Sequence, residues 1–379
     1  MSQSAADRAD HWDVLIVGAG IVGLAHAFQA ARRGLRVCVV ERDAACVGAS
    51  IRNFGFITVT GQAAGDTWRR ARRSREVWAE VAPQAGIDIL HRGLCLPVRR
   101  PQAAALIHAF LATPMAEGCT WLSPEDAARR APELQLDDVQ GVLWSPHELR
   151  VESRTAIGRL ARWLAQAWGV SFRFGESVRE VATPRVQTSR ATLHAERVVI
   201  CTHGELSGLL APQLQPQALQ LCQLQMLRVM PEPGLRLSAA VMGELSLVRY
   251  PGYSALPEAG PLKAQLAQEE AESLAHGIHL IAVQSADGSL VVGDSHHYGS
   301  APEPFASARV DELILDHLQR TLKIGQAHVT QRWVGQYPSS AQHDCLILQP
   351  DSATRGVVVT SGTGASTAFG IAEDVFEAW

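Results

Sequence analysis

Between Asp13 and Glu41 the order of residues leaves the chain few folds to choose from. Val14-Leu15-Ile16-Val17 is an apolar run of strand length, and it meets Gly18-Ala19-Gly20-Ile21-Val22-Gly23. A stretch of helical composition follows to Gly34, and a second apolar run, Val37-Cys38-Val39-Val40, ends on Glu41. Strand, glycine turn, helix and second strand in that order predict a βαβ dinucleotide-binding unit. Each glycine has a task. Gly18 permits the tight turn, Gly20 lets the backbone approach a pyrophosphate, and Gly23 lets the helix lie close to the strand. The helix N-terminus then offers N–H groups and positive dipole to phosphate. Glu41, at the end of the second strand, is placed to accept the hydroxyls of a ribose.

With 379 residues the chain is long enough for two domains with separate cores. Almost half the residues are apolar and under a fifth are charged, as in ordinary globular proteins. No apolar run reaches the ~20 residues of a membrane span. The segment Met1 to Asp13 is polar and lacks an apolar h-region, so no signal peptide is expected and a cytoplasmic location is. Seven scattered cysteines without a CxxC pair fit reduced thiols and offer no metal site. A net charge of −4 argues against nucleic acid as the main partner. Arginine is abundant but only Lys263 and Lys323 are lysines, and neither has the setting of a Schiff-base lysine.

Further along, Asp66 to Glu80 predicts a helix with Trp68, Ala71, Trp78 and Val81 on one side, ended by Pro83 and Gly86. Its Arg69, Arg70, Arg72, Arg73 and Arg75 form the densest positive run, which reads as a solvated face and not a nucleic-acid patch, since no aromatic residues alternate with the charges. Ile87 to Val98 predicts a strand pair around Gly93. Pro101 to Pro132 predicts helix, with Ser123-Pro124-Glu125-Asp126 as an N-terminal start. Val139–Trp144 reads as a short strand, Arg154–Trp168 as a helix ended by Gly169, and Val170–Phe174, Val178–Ala182 and the run at 197–204 as strands. Leu221 to Gly299 reads as strand-rich, with turns at Pro251-Gly252 and Asp287-Gly288, the latter joining Ile278–Gln284 to Ser289–Gly293. The acids Glu269, Glu270 and Glu272 in the stretch 264–276 look solvated. Ala308 to Leu322 has the period of an amphipathic helix burying Val310, Leu313, Ile314, His317 and Leu318. Finally Gly356-Val357-Val358-Val359-Thr360 leads into Ser361-Gly362-Thr363-Gly364-Ala365-Ser366-Thr367, a second glycine turn between strand and helix. A second such turn suits a flavin better than a nicotinamide, because the flavin ring needs its own anion receptor on reduction.

The segment Gly48-Ala49-Ser50-Ile51-Arg52-Asn53-Phe54-Gly55-Phe56, after the acid-terminated strand, and the terminal glycine turn together resemble the D-amino-acid oxidase, glycine oxidase and sarcosine oxidase superfamily of FAD enzymes over the full length. The resemblance implies an α/β fold in which a Rossmann-like FAD-binding domain on a parallel sheet is interleaved with an α+β substrate domain on an antiparallel sheet. Residues 1–85, 140–220 and 325–379 are expected to form the first and 86–139 and 221–324 the second. It further implies FAD contacts at Gly18, Ala19, Gly20, Ile21, Val22, Gly23, Glu41, Arg42, Ala49, Ser50, Arg52, Asn53, Phe54, Gly55, Val178, Thr202, Gly335, Gly362, Thr363, Gly364, Ala365, Ser366 and Thr367. Some relatives tether flavin through a cysteine in the segment aligned with Trp333–Asp344, where this chain offers Gly335, so non-covalent FAD is expected. The lysine that some members use toward oxygen has no counterpart in Ser289–Gly293.

The expected chemistry is oxidation of a small primary or secondary amine carrying an anionic group, with hydride passing to flavin N5, the imine hydrolysing, and O2 or another acceptor taking the electrons. No side chain stands out as an indispensable base. Arg249 is the candidate anion ligand. Tyr250, Tyr253, His296, His297, Tyr298 and Tyr337 are expected beside it on the platform sheet; three of the chain's four tyrosines gather at 250–298. The strings Arg52-Asn53-Phe54-Gly55-Phe56, Gly293-Asp294-Ser295-His296 and Trp333-Val334-Gly335-Gln336-Tyr337-Pro338 are similar to a branch associated with aminophosphonate breakdown, which implies a substrate such as N-methyl-2-aminoethylphosphonate. An NAD-dependent dehydrogenase and a flavin-bearing RNA-modification partner are the competing classes; the oligomeric state is left open.

Overall fold

The computed structural model describes residues 11–379, so most of the polar opening segment lies outside the described residues. One sheet runs in the order Cys345–Asp351, Thr354–Val359, Thr192–Ile200, His11–Val17, Val37–Glu41, Ser171–Phe174. All its pairings along this path are parallel except the first, and the hairpin Val178–Ala182 with Arg185–Thr188 extends it from Thr192–Ile200. Both faces are covered, which is why its strands are continuous apolar runs. Val14 and Ile16 point to a core built with Phe28, Trp78, Leu160 and Phe369, while Leu15 and Val17 point to the opposite core with Leu193, Val198 and Leu346.

The second sheet has ten strands. Its path is His297–Gly299, Gln220–Met230, Leu290–Gly293, Ile281–Gln284, Ala240–Met242, Ile89–Val98, Gly141–Val151, Phe56–Ile57, with His328–Ser339 and Thr120–Leu122 paired to its sides. Only Ala240–Met242 with Ile89–Val98 is parallel. Phe56–Ile57, Gly141–Val151 and His328–Ser339 pair here, although the sequence places their segments with the parallel sheet.

Several sequence expectations need correction. Ile89–Val98 is one bulged strand and not a pair: Gly93, at φ +84, sits where the register shifts, and a side chain there would meet Ser145 O and Trp144. Gly141–Val151 starts later than expected and runs seven residues past Trp144, because Pro146 falls at a bulge where no ladder N–H is needed. The stretch 101–132 holds two helices, Pro101–Leu111 and Pro124–Arg130, around the strand Thr120–Leu122; Ser123 caps the second by accepting from Asp126 N. Pro251 opens a short helix instead of a turn. The helix from Asp66 runs to Gln84 and not Glu80, ending one residue past Pro83 and just short of Gly86.

The acids at 269–272 are ion-paired, not merely solvated. Glu269 and Glu270 meet Arg100, Glu270 also meets Arg320, and Glu272 meets Arg309. The arginine run is likewise more than a wet face. Arg69 and Arg70 both hold Asp374, and Arg73 holds Glu373, fastening Asp66–Gln84 to the C-terminal helix Gly364–Glu377. Packing there is close: Ser74 Oγ accepts from Gly370 N, and Trp78 Nε1 donates to Ala365 O. Arg70 and Asp374 are 15% and 18% exposed at 2.6 Å, so truncating either strands a largely desolvated charge. Arg70→Ala is expected to destabilise the protein by about 2 kcal/mol in chemical denaturation. An Arg70→Ala/Asp374→Ala pair losing less than the sum of the singles checks the coupling.

Candidate active site

Two clefts, of about 400 and 600 Å3, meet end to end between the sheets. Val22, Ala49, Ser50, Arg52, His203, Gln336 and Val359 belong to both walls, which makes one elongated channel. The larger cleft is built on the first glycine turn. Gly18, Gly20, Glu41, Arg42, Val178 and Thr202 line it. A Cβ on Gly18, which has φ +103, would fall 2.6 Å from Cys201 O, and one on Gly23 would fall 1.9 Å from Gly18 O. Gly23 therefore sets the closeness of helix and strand from behind the wall. Glu41 accepts from Ala19 N at 2.8 Å and Asp43 N at 3.0 Å, and each oxygen keeps a further lone pair for a hydroxyl. Thr202 Oγ1 is buried in this wall with no partner among the described residues.

The smaller cleft lies under the terminal turn. Ile21, Asn53, Phe54, Gly335, Gly362, Thr363, Gly364, Ala365 and Ser366 line it. Ser50 Oγ accepts from Ile21 N at 2.9 Å, so the 49–55 loop is tied to the first helix N-terminus. Asn53 turns inward, donating to Ala49 O and accepting from Gly55 N, and thereby shapes that loop. Gly55 is needed behind it, since a Cβ would strike Val151 O at 1.9 Å. Ala19, Gly23, Gly55 and Thr367 thus act behind the channel wall and not on it. Ser366 Oγ accepts from Thr58 N, joining the terminal turn to the second sheet. Cys345 is half-buried outside the cleft, and burial pushes its thiol up to about 12.

The same cleft is lined by Arg249, Tyr250, Tyr298, Tyr337 and His296, with the Tyr337 ring against Gly362 of the terminal turn. Arg249 Nη2 donates to Tyr298 Oη at 3.0 Å and Tyr337 Oη at 3.3 Å. Burial raises both phenols, so they stay neutral and their O–H groups remain donors. Two expectations fail here. Arg249 and Tyr250 come from short helices, Ser246–Arg249 and its continuation into Pro251–Ser254, and not from the platform sheet. Tyr253 is fully buried away from the cleft, stacked edge-on against Phe110. His297 also faces away, toward His276, because adjacent strand residues point to opposite faces.

Sequence reasoning passed over His279 and left Asp294 without a role. The backbone pairing of His279 with Asp294 brings both into the cleft with His296. His203, at φ +54, lines both clefts, and burial lowers its imidazole to about 4.

Glycine turns that admit a pyrophosphate, an acid beside them, a buried unpartnered hydroxyl and a second turn at the opposite end form a channel for a long dinucleotide with a ring at one tip. The sequence family described as FAD dependent oxidoreductase (DAO) matches residues 13–378, and the chain belongs to it. It is an FAD-dependent oxidoreductase, which removes the NAD reading. By sequence it is 27% identical to the glycine oxidase of Geobacillus kaustophilus (strain HTA426) over 204 residues, half of this chain and 54% of that protein. The chain thus spans about half the length of that curated relative. Among solved structures, glycine oxidase from Geobacillus kaustophilus shares the fold at TM-score 0.76 and 19% identity, covering 97% of this chain and 94% of that one. L-proline dehydrogenase from P. horikoshii does so at TM-score 0.76 and 16% identity, covering 97% and 93%. No helix among the described residues is long and apolar enough to cross a membrane.

Proposed function

We propose that this protein oxidises a small primary or secondary amine bearing an anionic group. The observation that carries the reading is Arg249, a cation placed with two neutral phenols at the ring end of the channel. In this reading FAD lies non-covalently along the channel, its adenosine half against Gly18, Gly20, Glu41 and Thr202 and its ring under Gly362–Ser366. Bound FAD supplies the acceptor for the electron pair that leaves the substrate carbon with hydrogen. The protein's part is positioning. Arg249 anchors the anion through two donors, Tyr298 and Tyr337 add hydroxyls, and apolar Phe54, Leu224, Met226 and Ile281 exclude water around the reacting carbon. The imine product then hydrolyses. The division into a cofactor and a substrate domain belongs to the same proposal, with Gly141–Val151 and His328–Ser339 counted in the substrate sheet.

The finer reading is an aminophosphonate such as N-methyl-2-aminoethylphosphonate, and its support is the resemblance in the strings at 52–56, 293–296 and 333–338. The help expected from His296 and His297 as imidazoles charged near neutral pH is withdrawn, since burial holds His296 neutral and His297 faces His276. A guanidinium with phenol donors serves phosphonate and carboxylate alike. Anaerobic mixing of the flavoenzyme with N-methyl-2-aminoethylphosphonate, sarcosine, glycine and D-alanine, read by flavin bleaching, is expected to give the fastest reduction with the phosphonate. A preference for the carboxylates rejects the finer reading, and no bleaching by any amine rejects the coarser one. Reduction of O2 to H2O2 is the expected fate of the electrons. A dehydrogenase passing them elsewhere is the second reading, favoured by the absence of lysine from Leu290–Gly293.

A further inference from the structure

Asp294 is 4% exposed and stands between two imidazoles. Its Oδ1 lies 3.2 Å from His279 Nε2 and its Oδ2 3.7 Å from His296 Nε2, and the two rings stack at 5.1 Å. His296 Nδ1 lies 2.8 Å from Gly277 O, a carbonyl that can only accept, so Nδ1 carries the proton and Nε2 presents a lone pair to Asp294. The 3.2 Å contact of Oδ1 with His279 Nε2 is not directed as a hydrogen bond, so Oδ1 has no hydrogen-bond partner among the described residues, although the carboxyl lines the cleft. A buried carboxylate with one oxygen toward the His296 lone pair and the other without a directed donor is an acceptor in need of one. Arg249 borders the same cleft and supplies the opposite charge for a substrate's anion.

We propose that Asp294 is the group that receives the substrate's ammonium end and takes one proton from it, so that the enzyme binds a zwitterion and oxidises the free amine. This rests on the amine-oxidising reading above and deepens it. In the step, one ammonium N–H bond breaks and one Asp294 O–H bond forms, with no change in oxidation state. The nitrogen lone pair that appears is the one that assists departure of hydride from the neighbouring carbon. His296 Nε2 then accepts from the protonated acid, and the proton passes to solvent when product leaves.

The groups that face Asp294 are Arg249, Tyr250, Tyr298, Tyr337 and Cys222, with His279 and His296 at contact and His276 and His297 behind. Burial pushes the Asp294 carboxyl up to about 7, against the pull of Arg249. The phenols and Cys222 are raised by burial, and burial with Arg249 keeps His279 and His296 well below their usual range. Asp294 is therefore the contact group that titrates between pH 5.5 and 8.5. Its base form is lost below about 7, so reduction rises with pH up to that point and levels off above it.

The test uses the flavin-loaded enzyme and an amine that bleaches it. Anaerobic stopped flow from pH 5.5 to 9.5 is expected to show the second-order rate of reduction rising about tenfold per unit below pH 7 in the native enzyme. Asp294→Asn is expected to lose that limb, fall roughly a hundredfold at pH 7.5, and recover toward the free amine's own ionisation. An unchanged pH profile in Asp294→Asn overturns the inference while leaving amine oxidation standing. Infrared difference spectra of the native enzyme between pH 6 and 8 give a second readout that needs neither turnover nor a variant. A protonated-carboxyl band that fades as pH rises through 7 supports the inference, and its absence overturns it. One equivalent of divalent metal in the purified enzyme, lost in Asp294→Asn, also overturns it.

Discussion

Replacing Arg249 by methionine is expected to lower kcat/KM for an anionic amine about a thousandfold while leaving FAD in place. The side chain is half-buried, and Tyr298 and Tyr337 hold its Nη2 at 3.0 and 3.3 Å, so it is pre-set to meet an anion. Removing it leaves the substrate's carboxylate or phosphonate desolvated without a counter-charge, at a cost of about 4 kcal/mol. That corresponds to roughly a thousandfold. The anion is bound equally in the ground and transition states, so the loss falls mainly on KM. Arg249→Lys, which keeps the charge but not the planar fork, is expected to lose about tenfold. The control is an uncharged amine of the same length, which should distinguish native enzyme from Arg249→Met by less than about threefold. Equal losses for both amines would show that Arg249 supports the fold of the cleft and not the anion.

The second large effect concerns Gly23. A methyl group there would sit 1.9 Å from Gly18 O and 3.3 Å from Ile16 Cγ2, so Gly23→Ala must push the helix Ile21–Arg32 off the strand His11–Val17. The displaced helix carries its N-terminus away from the phosphate position. The phosphate then loses its N–H donors at the helix start, and FAD retention through purification is expected to fail. Gly34→Ala is the contrast. It is also strained, at φ +75, but has open space around it, so it is expected to cost about 1 kcal/mol of stability and to purify yellow. Stoichiometric flavin in Gly23→Ala would remove the role assigned to that glycine.

What the sequence made legible follows the range of the interactions. The βαβ unit and the turn at 361–367 rest on neighbouring residues, and both stand where expected. The helix Ala308–Thr321 buries all five residues that its period selects. The substrate end was harder. Arg249 was found by charge, but its backbone was read as strand because Val248, Tyr250 and Pro251-Gly252 look like a strand meeting a turn. Two four-residue helices, too short to show a period, override that pattern and send Tyr253 into the core. His279 carried no local signal at all. It matters only because the register of a hairpin brings it opposite Asp294, fifteen positions away. The ion pairs of the arginine run were hidden for the same reason, since their partners lie some 300 residues on.

The order of strands in the parallel sheet also bears on how the chain is made. Thr192–Ile200 sits between His11–Val17 and Thr354–Val359, so the strand completing that neighbourhood is made long after the other two. The hairpin strand Arg185–Thr188 covers Thr192–His194, but until Thr354–Val359 emerges from the ribosome Val198–Ile200 keeps an unpaired apolar edge, open to self-association. Completion of the parallel sheet must therefore wait for a segment far along the nascent chain.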